Sequence, residues 1–345
     1  MSRSTIIASK QAVFAGIDFH KQFSVITLGD IDGQVIEQLR LTNDEHQIRK
    51  FFLRRSNLKC AIENCRGNEW FVDLLKDIGC QVFVGNTAAI RLIADSRCKT
   101  DKIDSRILME LLAKNFLPVC YQASKQERIL REQLRWRVAL VRSRTQYKNR
   151  VHALIDKENK GQNITSKRSR SKLLEQMPVS SQRQGLLTKH IEVIDYFEGL
   201  VKEQDKCVEI LAKDSEDAVR LQTIPGIGDK SALMFLAEIG DYTRFKKARQ
   251  VSSYFGLVPR VYSSANTRYL GSITKKGSRM MRWLLIQDAW KAVSDCKPIR
   301  SKYVNICIRR GKKVAIVAIA RMLAEIAFRI LRDKTEFNEK LLALG

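Results

Sequence analysis

The chain lacks the features that mark several common protein classes. No run of about 18 apolar residues occurs in its 345 residues, so no membrane-spanning helix is expected. Residues Met1 to Lys10 hold no apolar core of the kind a secretory signal carries. Histidine is scarce, at four, and the eight cysteines (60, 65, 80, 98, 120, 207, 296 and 307) form no C-x-x-C pair. A zinc site is therefore not expected, and reduced thiols in a cytosolic protein are. Acidic side chains are outnumbered, 37 against 62 basic ones.

What is present points to a nucleic-acid partner. The apolar share, 44%, suits a globular chain of two or three domains. The net charge of +25 calls for a polyanion. Its distribution is uneven: +3 over residues 1–120, +12 over 121–190, −7 over 191–241 and +18 over 242–334. Two basic blocks flanking an acidic segment suggest two polyanion-contacting surfaces rather than one diffusely solvated face.

The first 120 residues alternate strand and helix signals in the order βββαβαβα. Val13 to His20, Phe23 to Leu28 and Gln34 to Leu41 read as a meander, with a turn at Asp30 to Gly33. Asp44 to Arg55, Asn68 to Ile78 and Thr87 to Asp95 read as helices, and Lys59 to Glu63 and Gln81 to Val84 as short buried strands. This order predicts an α/β domain with antiparallel strands on one side and βαβ crossovers on the other.

Four carboxylates stand out in this region. Asp101 and Asp104, in the octapeptide KTDKIDSR from Lys99 to Arg106, precede an apolar helical run and share one helix face. Their plain alternative is helix capping beside a solvated charge run. Asp18 falls in the middle of the first predicted strand, and Glu63 ends the fourth. A buried strand acid is costly unless paired or metal-bound. Ligand sites in open α/β sheets gather at the carboxyl ends of strands. Together the four suggest a divalent-cation site beside a polyanion, with Lys99, Lys102 and Arg106 next to it.

The remainder reads as helical. Residues 124–160 and Gln182 to Lys213 predict two long helices paired as an antiparallel hairpin or coiled coil, with Arg135, Arg142 and Lys148 among the cations coating the first. Residues 158–172 read as a polar, basic loop. Pro225 to Gly228 (PGIG) resembles a helix-hairpin-helix turn, in which Gly226, Gly228 and the start of the next helix, with Lys230, would meet a phosphate backbone; an ordinary αα turn is the alternative. Ser263 and Ser264 read as a polar loop among Arg260, Arg268, Lys275, Lys276, Arg279 and Arg282. A serine amid fixed cations suits attack on a phosphodiester, or simply a phosphate-binding loop. Three closing helices follow. The expected domains are 1–120, 121–216 and 217–345.

These motifs, in this order, closely resemble the DEDD transposases of the insertion-sequence one-ten family, with C-terminal spacing like its eleven-eleven branch. The resemblance rests on Gly16 to Asp18, Glu63, Lys99 to Arg106, Ile224 to Gly228, Phe255 to Pro259, and Tyr262 to Ser264 followed by Gly271 to Gly277. It implies a RuvC-like N-terminal domain of the ribonuclease-H fold, with Asp18, Glu63, Asp101 and Asp104 holding Mg²⁺. It implies a C-terminal transposase domain with a serine nucleophile, here Ser264 with Ser263 as runner-up. Ala265 stands where the family usually has glycine. It further implies DNA recombination guided by a structured bridge RNA, a tetramer built from dimers, and a nucleoid-associated protein of the bacterial or archaeal cytoplasm. The competing readings are a hydrolytic RuvC-like endonuclease and an inactive nucleic-acid-binding remnant.

Overall fold

The computed structural model describes residues 11–55, 57–93, 100–157, 164, 166–176, 181–264, 267–339 and 342. The chain divides into two compact units, Met1–Gln122 and Ala123–Gly345.

The first unit is a five-stranded sheet with helices on both faces. Its strands are β1 (Phe14–Phe19), β2 (Phe23–Gly29), β3 (Val35–Thr42), β4 (Lys59–Glu63) and β5 (Gln81–Gly85), in spatial order β3-β2-β1-β4-β5. The β1-β2 and β2-β3 pairs are antiparallel, and the β1-β4 and β4-β5 pairs parallel. One face buries Ala15, Ile17, Ile26 and Ile62 against Phe52 of helix α1 (Glu45–Leu53) and Phe71, Leu74 and Leu75 of α2 (Glu69–Asp77). Each of the larger of these side chains contributes roughly 1.5–3 kcal/mol of burial. The other face buries Phe14 and Ala61 against Ile90 of α3 (Thr87–Ile93) and Leu108, Met109 and Leu112 of α4 (Asp101–Ala113). Residues 94–99, including Lys99 and the expected end of the third helix, lie outside the described residues.

Helix α4 lies directly on bare backbone. A Cβ on Gly16 would stand 1.9 Å from the Ser105 carbonyl oxygen and 2.4 Å from the Met109 nitrogen. Its N-terminal turn is tied down by polar contacts. The Thr100 side chain caps it by accepting from the Ile103 N–H. Thr27 Oγ1 and Ser105 Oγ, both buried, lie 2.8 Å apart, and Gln38 Nε2 donates to Thr27 Oγ1 at 2.7 Å and to the Lys102 carbonyl at 2.8 Å.

The second unit is largely helical. Helix α5 (Lys125–Asp156) pairs with α7 (Ser181–Lys213), and cross-links from Arg137 to Asp205 and from Lys148 to Glu198 run in opposite chain directions, so the pair is antiparallel. The expected loop at 158–172 is instead helical from Lys167, in α6 (Lys167–Gln176). Arg170 explains the difference: it is 0% exposed and donates to Asp195, to Glu198 at 2.6 Å and to the Ile164 carbonyl. A buried guanidinium with every direction answered pins α6 onto α7.

The described residues of this unit also form the α-helices α8 (Glu216–Gln222), α9 (Asp229–Ile239), α10 (Ala248–Tyr254), α11 (Arg279–Asp295), α12 (Lys297–Arg310) and α13 (Lys312–Asp333). The last is the central post, burying Ile316, Ile319, Leu323, Ile326 and Phe328 among others. The expected polar loop around the two serines is a β-hairpin, β6 (Pro259–Ser264) with β7 (Thr267–Ile273). Val261, Tyr262, Tyr269 and Ile273 are strand formers, and their cross-strand pairing outweighs the polar composition.

Gly16→Ala is expected to destabilise the protein by about 1–3 kcal/mol or more, because the atoms it would strike are helix backbone. Gly199→Ala, inside α7 with open space around its Cβ, should instead stabilise by about 0.5–1 kcal/mol. Urea denaturation of both variants against the parent checks this contrast.

Candidate active site

Three chain segments bring acids to one end of the first sheet. Side chains of a strand alternate between faces, so Asp18 shares the α4 face with Gly16, two residues earlier. Asp18 is the penultimate residue of β1, at its carboxyl end rather than mid-strand. β1 and β4 run parallel with Ile17 beside Ile62, so one step further Asp18 and Glu63 sit on adjacent strands about 4.8 Å apart. α4 lies over this face, with Asp101 and Asp104 in its first turn.

His20 ties the cluster together, and the sequence reading missed it. Its Nε2 lies 3.2 Å from Asp18 Oδ2 and 3.3 Å from Asp101 Oδ2. Asp18, His20 and Asp101 each offer a ligand atom within 4.8 Å of the others. The signal available was the Asp-x-His spacing, which returns His20 to the Asp18 side of the chain. Burial pushes the Asp18 carboxyl upward; His20 opposes that shift, while the charges of Asp101 and Asp104 add to it. The neighbouring Cys65 thiol is raised by burial and then by the charges of Glu63 and Asp18. Asp18 thus shares its site with the Asp101 and Asp104 carboxylates, whose charges oppose its ionisation, while Glu63 ends the neighbouring strand. Carboxylate oxygens suit a hard divalent cation, which would relieve that repulsion, with the His20 imidazole as one nitrogen beside them.

A groove of about 670 Å³ opens beside Asp101, lined by Phe23, Val25, Gln38, Arg40, Thr100 and Lys102 among others. The Phe23 ring lies 4.6 Å from the His20 ring at a 32° tilt, and the Arg40 guanidinium lies 3.5 Å over it. Lys102 and Arg106 are exposed, Arg106 in an ion pair with Glu110 at 2.7 Å.

The candidate residues of the second unit stand in different surroundings. Arg142, Arg260, Lys275, Lys276 and Arg279 are exposed. Arg135 pairs with Glu238, Lys148 with Glu198 and Lys230 with Asp205, each at 2.9 Å. Arg282 is partly buried and donates to the carbonyls of Phe255, Lys276 and Gly277. Burial and the nearby Arg279 charge lower its pKa. Ser263 and Ser264 are placed by backbone in β6, opposite Arg268 and Thr267 of β7; the side chains of Ser263, Ser264 and Arg268 lie outside what the structure describes.

The Pro225–Gly228 turn packs against α11. Gly226 has φ +89°, and a Cβ there would meet the Asp288 carbonyl oxygen at 2.3 Å. Gly228 opens α9 with free space above it. Beneath, Ser231 Oγ donates to Asp288 Oδ1 at 2.7 Å, and Asp288 Oδ2 is buried without a partner. Burial pushes the Asp288 carboxyl up to about 7, with the Ser231 bond opposing.

Comparison with known proteins gives consistent matches. A DEDD transposase family profile matches residues 15–159, and that of the transposase IS116/IS110/IS902 family matches residues 218–305. The chain is 28% identical to the transposase for insertion sequence element IS1111A of Coxiella burnetii, over 95% of this chain and 92% of that protein. It is 26% identical to the transposase for insertion sequence element IS1328 of Yersinia enterocolitica, over 94% and 98%. Over 35% of its length it is 33% identical to the pilin gene-inverting protein of Moraxella bovis, covering 38% of that protein.

The raised Asp288 pKa carries a sign. The folded state favours the neutral acid, so this stabilisation is complete below the unfolded carboxyl range and is lost as pH rises through about 7. Between pH 5 and 8 the parent should lose roughly 2–3 kcal/mol relative to Asp288→Asn. Denaturant titrations of the two proteins at several pH values measure that difference.

Proposed function

The chain belongs to the IS110 family of transposases, and on that premise we propose that it cuts and rejoins the DNA ends of an insertion sequence through two cooperating centres. The observation that carries the reading is the meeting of Asp18 with Asp101 and Asp104 at one end of the first sheet, with His20 between Asp18 and Asp101; Glu63, at the end of the neighbouring strand, completes the proposed set. The strand order β3-β2-β1-β4-β5, three antiparallel strands continued by two parallel ones, supports a RuvC-like arrangement of the ribonuclease-H type.

Mg²⁺ is the proposed ion, held by the four carboxylates; when bound it would polarise a phosphoryl oxygen and help activate the nucleophile. The residues of the chain do the rest. His20 holds Asp18 and Asp101 in a fixed mutual geometry. Lys102 and Arg40 flank the groove beside Asp101 and suit a phosphate backbone. The Ser264 hydroxyl attacks the scissile phosphodiester, with Ser263 the runner-up. The strand is then linked to the protein as a phosphoserine ester, the released hydroxyl being the leaving group. That ester conserves the bond energy, so exchange needs no further energy source. The exposed Arg260, Lys275, Lys276 and Arg279 suit stabilisation of the developing charge. The name of the Moraxella relative, a gene-inverting protein, supports strand exchange over simple hydrolysis.

Guidance by a structured RNA is part of this proposal, as is assembly into a tetramer in which one copy's acids and another copy's serine act on the same strand. The two basic blocks support two nucleic-acid partners, with RNA on the N-terminal unit and residues 121–190 and DNA on residues 242–334.

Two measurements test the centres separately. With suicide DNA substrates, the parent should form a covalent protein–DNA adduct that is absent from Ser264→Ala; an adduct that persists moves the role to Ser263, and free ends without any adduct indicate hydrolysis. Asp104→Asn should lower strand cleavage in Mg²⁺ by at least about 100-fold while leaving RNA binding within twofold. Unchanged cleavage would sink the metal-site reading.

A further inference from the structure

The β6-β7 hairpin exposes two aromatic rings that the fold does not use. Tyr262 and Tyr269 are directly opposite in the strand register. Their rings lie 6.3 Å apart at an interplanar angle of 34° and are 55% and 66% exposed. The Tyr262 ring lies over Gly271, where a Cβ would stand 3.0 Å from its Cε2 atom. Among the described residues, the hairpin is a two-stranded sheet. Such a ribbon gains little from displaying tyrosines to water, since aromatic rings favour burial.

The surroundings identify the partner. Arg260 precedes the pair on the same strand, and Lys275, Lys276 and Arg279 follow the hairpin, all exposed. Open π surfaces in a segment bracketed by exposed cations match single-stranded nucleic acid, whose backbone is anionic and whose bases are flat and apolar. A duplex offers its bases already stacked, so only unpaired bases can occupy the rings. Strand exchange creates such bases at each break.

We propose that Tyr262 and Tyr269 form a stacking platform for unpaired DNA bases displaced next to the site of strand exchange. This rests on the reading above that residues 242–334 handle DNA. The rings bind bases; they take no part in bond making. Their hydroxyls are dispensable, and their faces are not.

The test uses the full chain and fluorescence anisotropy at one salt concentration with three probes: a labelled single-stranded DNA, the same strand with abasic sites, and the matched duplex. Tyr262→Ala and Tyr269→Ala should each weaken single-strand binding about tenfold. Tyr262→Phe and Tyr269→Phe should stay within twofold, as should all four variants on the abasic strand and the duplex. Equal losses on intact and abasic strands, or no loss on either, would overturn the platform while leaving the DNA reading intact. So would a changed oligomeric state by light scattering with DNA affinity unaltered, which would make the rings an interface between copies. Tighter, ring-dependent binding of a matched RNA strand would assign the face to RNA and overturn the proposal. A parent protein that binds none of the DNA probes would overturn the underlying DNA reading as well.

Discussion

The contact of helix α4 with the bare backbone of β1 governs the first unit. Gly16 leaves no side chain between the strand and the helix, and Ser105 and Met109 occupy the room. The same strand carries Asp18 two residues on, so the depth at which α4 settles determines how near Asp101 and Asp104 come to it. The Thr27, Gln38 and Ser105 contacts then prevent the helix from sliding along the sheet. A packing interaction with no charge in it thus sets the electrostatics of the site.

Those electrostatics are unfavourable by themselves. Asp18 is desolvated, faces two further carboxylates, and receives its compensation from His20. Interiors tolerate such crowding when it serves a bound cation or a charged partner. The second unit handles its buried acids differently: among the described residues Glu238 meets Arg135, Glu325 meets Arg321 and Ser252, and Asp288 meets Ser231.

Much of the fold was legible because it follows local periodicity. The meander, the two crossovers and the long helices all announce themselves as period-2 or period-3.6 patterns. The sequence placed Glu63 at a strand end, where ligand sites gather, but the pairing of β1 with β4 that sets Asp18 beside it joins strands that are not consecutive in the chain. What escaped depends on contacts between distant positions. The 158–172 stretch looked like a solvated basic loop, and nothing local to Arg170 reveals Asp195 and Glu198 waiting for it. The serine segment looked polar, and only the register of Tyr262 with Tyr269 makes it a ribbon. His20 carried a spacing signal, but its second carboxylate comes from a residue 81 positions later, beyond any window of sequence.

The ion pairs also change what the chain's formal charge means. Its +25 treats every lysine and arginine alike. Yet Arg135, Lys148, Arg170 and Lys230 already have internal carboxylates, and the Arg282 guanidinium is held by backbone carbonyls. Such cations carry few condensed counterions to release when a polyelectrolyte arrives, whereas Arg142, Arg260, Lys275 and Arg279 stand open to solvent. The entropy that drives association with nucleic acid therefore comes from a subset of the basic side chains. The logarithmic dependence of affinity on salt should count that subset and not the whole.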